Sequence, residues 1–131
     1  MEAALREADD LVRQPRGHRH KSFLDNIRLW EKIVDQVESG YVLTRFDYSN
    51  DLDVRSLIED VLIAVSPHTR AQLMGLVSPI DERFMRATRD TGVTLSTRLT
   101  GPWSTRLPLR LVGELAVDAA EEGLAADKSI D

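Results

Sequence analysis

Asp47, Asp51 and Asp53 fall within the stretch FDYSNDLDVRSLIEDVL, residues 46–62, and carboxylates grouped in this way can hold a divalent cation or move protons. The alternation Asp47, Ser49, Asp51, Asp53 begins as a calcium loop begins. Position six of that frame is Leu52 where glycine is needed, and position twelve is Ile58 where glutamate is needed. The calcium loop therefore fails, which leaves a looser site on Asp47, Asp51 and Asp53 serving a metal-dependent hydrolase. A plainer account competes with it. Ser49 or Asn50 caps a helix, and Asp51 and Asp53 stand in its first turn, where the helix dipole favours negative charge by about 0.3–1 kcal/mol each.

Other chemistry is sparse. His18 and His20 alternate among Arg16, Arg19 and Lys21, whose charge repels a metal cation. His68 follows a Ser-Pro helix start, where positive charge is disfavoured. No glycine-rich phosphate loop, GxSxG elbow or Cys/His pair occurs, so the sequence gives no sign of an enzyme and no call for a metal or cofactor. Arg83, Arg86 and Arg89 step by three along SPIDERFMRATR and form the best anion-binding row, the basis for an alternative reading as a DNA-associated regulator. Asp81 and Glu82 at the end that would meet bases argue against it, and pairing of the row with the acidic helix of residues 51–65 is the simpler expectation.

Behind these residues stand the elements that must position them. Val54, Leu57, Ile58, Val61, Leu62 and Val65 repeat at helical spacing and predict a buried stripe. On the opposite side of that wheel Tyr48, Leu52, Glu59, Asp60 and Ile63 sketch an apolar centre with an acidic rim, the composition of a docking patch. Helices are also expected over 2–14 and over 23–37, the latter closed by Gly40. SPHTRAQLMGLV and SPIDERFMRATR each open as a helix opens, with Gly92 closing the second. A last helix with Leu111, Val112, Leu115 and Ala119 on one side follows Pro108 and ends at Gly123. Residues 41–48 and 93–99 alternate as half-buried strands do. The expected fold is thus mainly α, one domain over residues 1–131 with about five helices and a short antiparallel pair of 41–48 with 93–99. The basic linker before residue 22 and the tail 124–131 lie outside its core.

At 131 residues and 42% hydrophobic, the chain can bury a core without disulfides, and its lack of cysteine suits a reducing cytoplasm. The start MEAALREADD lacks the basic and apolar regions of a signal peptide, and no apolar run is long enough for a membrane span. The formal net charge of −5 argues against general nucleic-acid binding. Charge is segregated in blocks: +1 over residues 1–21, −5 over 22–65, +4 over 66–110 and −5 over 111–131. These features favour a small soluble bacterial-type protein-interaction or inhibitor/immunity-type module, cytoplasmic, binding a protein with a basic surface, with homo-oligomerisation left open.

Overall fold

Apolar residues three and four apart decide the helices, and hydroxyls and carboxylates cap the starts of the three longest. A computed structural model describes residues 1–12, 22–96, 99 and 101–123. Its helices are α1 (Glu2–Val12), α2 (Phe23–Ser39), α3 (Arg45–Ala64), α4 (Pro67–Ala87) and α5 (Gly113–Glu121). Between α4 and α5 lie strand β1 (Thr88–Asp90), a 3-10 turn at Pro102–Thr105 and strand β2 (Arg106–Pro108). The fold is mainly helical with a small antiparallel pair, as expected. The linker before residue 22 and the tail 124–131 lie outside the described residues.

α2 is the central packing element. Phe23, Ile27, Trp30, Ile33, Val34 and Val37 are all buried, against both α3 and α4. Each such side chain contributes about 1.5–3 kcal/mol before chain entropy is counted, so this stripe outweighs any surface charge effect. Ser22 and Asp25 cap its start reciprocally, and Gly40, at φ +113°, ends it in a conformation that a side chain would oppose.

Three expectations are corrected. First, the sheet forms elsewhere: Thr88 pairs with Pro108, Arg89 with Leu107 and Asp90 with Arg106, rather than 41–48 with 93–99. Thr44 and Asp47 make a reciprocal capping box, so the helix claims residues 45–48 and only Tyr41 is left to bridge Leu111. Near 93–99, Leu95 N–H donates to the Ser104 carbonyl at 2.9 Å, but Thr91 and Gly92 turn the chain first; positions 97 and 98 are outside the described residues. Second, the two Ser-Pro segments form one helix, α4, with Pro79 inside it. Pro79 and Gly75, whose carbonyl loses its usual donor, are both exposed, so water can satisfy that carbonyl; α4 ends at Ala87, where the chain enters β1, well before Gly92. Third, the buried side of α3 is turned toward Tyr48, Leu52, Arg55, Ile58 and Leu62, while Leu57 is only half-buried.

Carboxylates of the outer helices fasten the starts of the inner ones. Asp9 of α1 accepts from Phe23 N–H at 2.8 Å, and Glu7 accepts from Ser66 N–H at 2.8 Å and Thr69 Oγ1 at 2.7 Å. Asp118 of α5 accepts from Arg45 N–H at 3.0 Å. The free amides at a helix start need such partners, and supplying them from another helix fixes tertiary position as well. The Thr69 hydroxyl and the Ser66 amide hold the Glu7 carboxyl below its usual range.

Candidate functional site

The polar side chains of α3 divide between an inner cluster and an outer surface. Inside, Arg55 is 3% exposed. Its Nε and Nη2 reach the two oxygens of Asp81 at 2.9 and 2.8 Å, and Nη1 reaches Glu59 at 3.1 Å. Trp30 Nε1 donates to the same Asp81 Oδ1 at 2.9 Å, and the Trp103 ring lies 4.2 Å from the guanidinium. Burying a charge is costly unless it is paired and hydrogen-bonded, and here each guanidinium nitrogen meets a carboxylate and one face meets an indole. Gly101 makes room for that indole, since a Cβ there would lie 2.5 Å from the Trp103 ring. The cluster joins α2, α3, α4 and the 3-10 turn, and its chemistry is spent on holding them.

The predicted docking residues are not brought together on one surface. Tyr48 and Leu52 are fully buried. The Tyr48 hydroxyl donates to the Arg106 carbonyl at 2.6 Å, and burial pushes its pKa well above the usual value. Glu59 is half-buried on Arg55, whereas Asp60 and Ile63 are exposed. The arginine row also divides. Arg83 meets Glu31, Asp35 and Glu38 of α2, not the acids of α3; Glu38 and then Asp35 raise its pKa, while it lowers that of Glu38. Arg86 is exposed and Arg89 half-buried.

The three aspartates have separate local roles. Asp47 belongs to the α3 capping box. Asp51 accepts from the buried Tyr41 hydroxyl; burial raises its pKa and the nearby Asp47 adds to this. Burial and the Asp51 carboxylate together push the Tyr41 hydroxyl up. Asp53 faces solvent. Among the described residues no three His, Asp or Glu side chains converge as a metal site would require.

Sequence reasoning missed an open cleft of about 470 Å³ where α5 crosses the start of α3, lined by Arg45, Phe46, Ser49, Asn50, Leu95, Ser96, Asp118 and Glu122. Phe46 is 71% exposed, and Leu95 forms a buried apolar floor. Arg45 Nε lies 2.8 Å from Glu122 Oε1, a charge contact without hydrogen-bond alignment. Val42 and Leu43 just before α3 and Val117 on α5 add exposed aliphatic area. The cleft brings the acidic blocks 22–65 and 111–131 together with Leu95 and Ser96 of the block 66–110, and that meeting in space was not legible from any one of them. Among the described residues no helix is long and apolar enough to cross a membrane. Comparison with family models, curated proteins and solved structures returns no match.

Proposed function

We propose that the protein is an interaction module of inhibitor or immunity type, which binds a partner bearing a basic surface. The observation that carries this reading is Phe46: an aromatic ring exposed at the edge of a cleft whose charged lining, among the described residues, is Asp118 and Glu122 with Arg45. Aromatic anchors dominate binding energy where water is excluded around them, and an acidic rim speeds encounter with a basic partner and disfavours acidic ones. The inner charges cannot serve this purpose, because Arg55 and Asp81 satisfy each other. The DNA-associated reading has less support, since Arg83 is already neutralised by three carboxylates.

The test is affinity capture on the immobilised full chain at low and at raised salt. A partner with a basic surface is expected, released as salt rises and lost with Phe46→Asp. Equal capture by wild type and Phe46→Asp, or a partner of acidic surface, contradicts the reading.

A further inference from the structure

Phe46, Asn50, Asp53, Leu57, Asp60 and Ala64 follow one another along α3 at steps of four, three, four, three and four. That spacing places them in one stripe on a helix. All are exposed except Leu57, which is half-buried. The stripe runs nearly the length of α3, whose 20 residues span about 30 Å. It has a recess at each end. The first holds Phe46 and Asn50 in the cleft beside α5. The second is a groove of about 120 Å³ between α3 and α1, where Leu57, Asp60, Val61 and Ala64 meet Leu11 and Val12.

We infer that this ridge is a docking track for a basic amphipathic helix; the inference rests on the basic-partner reading and names the partner's form. Apolar positions at the start, middle and end of the stripe suit the anchor spacing with which one helix lies along another. Charge selects the occupant. Asp53 stands on the stripe and Asp118 and Glu122 beside its start, with Arg45 as the one base among the described lining residues. A second copy of the same surface would oppose acid to acid, whereas a helix carrying lysine or arginine between leucines complements both features. Ile63 is exposed as well, but it sits about 100° around α3 from Ala64 and is off the track.

The test uses the full chain and two synthetic helical peptides about five turns long, one of leucine and lysine, the other of leucine and glutamate. Binding is followed by fluorescence anisotropy and amide chemical shifts. The lysine peptide should bind and shift amides at both recesses. Phe46→Ala and Asp53→Lys should each weaken it, the former by about tenfold or more, while Ile63→Ala changes affinity less than about twofold. Lysine-peptide binding with shifts outside the ridge, or at one recess only, overturns the track and leaves the basic-partner reading standing. Equal binding of the glutamate peptide overturns that reading itself. No binding of either peptide overturns the helix track, and so does self-association of the chain through the ridge.

Discussion

The inner and outer sides of α3 carry the same kinds of residue and use them oppositely. Inside, Arg55, Asp81, Trp30 and Trp103 form a closed cluster in which each polar group meets a partner. Outside, Phe46 and Asp53 face solvent, next to recesses that other side chains could enter. Residue type alone does not distinguish structural from functional charge. Burial with a fixed geometry does, because it consumes the hydrogen-bonding capacity that a ligand would need.

The largest expected effect comes from breaking the inner side. Arg55→Ala strands the Asp81 carboxylate and empties the space beside Trp103, and unfolding in urea should show a loss of about 3 kcal/mol. Replacing Arg55 and Asp81 together by apolar residues of similar volume should cost clearly less than the single change, since no unpaired charge remains. A single-variant cost below 1 kcal/mol would remove the distinction drawn between the two sides.

Next in size is the fastening of α3 itself. Asp118→Ala removes the acceptor of the Arg45 amide, and the start of α3 should lose about 1 kcal/mol, seen as faster amide exchange over the first turn of α3 and in α5. Unchanged exchange there would mean that α5 is held by Leu115 and Ala119 alone.

Acid sharpens the comparison by sign. Glu7 has its folded pKa lowered from 4.5 by the Thr69 hydroxyl and Ser66 amide. Its contribution is present above the unfolded value and lost as pH falls through the folded one. Asp51 has its pKa raised from 3.8 by burial, so its contribution is present below the unfolded value and lost as pH rises through the folded one. Glu7→Gln should therefore flatten the loss of stability on acidification, and Asp51→Asn should flatten an opposing slope, both read from thermal melts across the carboxylate range. Identical slopes in wild type and both variants would contradict these assignments. The smallest stability change belongs to the ridge: Asp53→Lys should move unfolding by less than about 0.5 kcal/mol.

Much of the architecture follows from local pattern. The Phe23–Val37 stripe, the cap at Gly40 and the buried Leu115 and Ala119 lie where periodicity puts them, whereas Leu111 and Val112, expected in the same helix, precede α5, Leu111 bridging Tyr41 and Val112 standing at the cap. The phase of α3 was harder to read, because its inner side buries Arg55, Ser49 and Ser56, polar residues that a hydrophobic count assigns to solvent. Arg55 is tolerated there only because Asp81, twenty-six positions later, is brought against it, and no local pattern reports a partner so distant. Counting only apolar residues turned the helix so that Leu52 faced out and Leu57 in. The capping box at Thr44 and Asp47 was the available signal for the true start; it was obscured because residues 41–48 also have strand-like composition. The Phe46 cleft needs α3 and α5 side by side, a relation to which the buried Leu115 and Ala119 and the Asp118 bond to the Arg45 amide contribute.

The most direct measurement is a paired one on Phe46→Ala: its free energy of unfolding and its affinity for the leucine-lysine helix, each against wild type. With Phe46 71% exposed, unfolding should change by less than about 0.5 kcal/mol while affinity falls about tenfold or more. A variant that binds as wild type does, or that loses stability as Arg55→Ala does, contradicts the division of α3 into a structural inside and a binding outside.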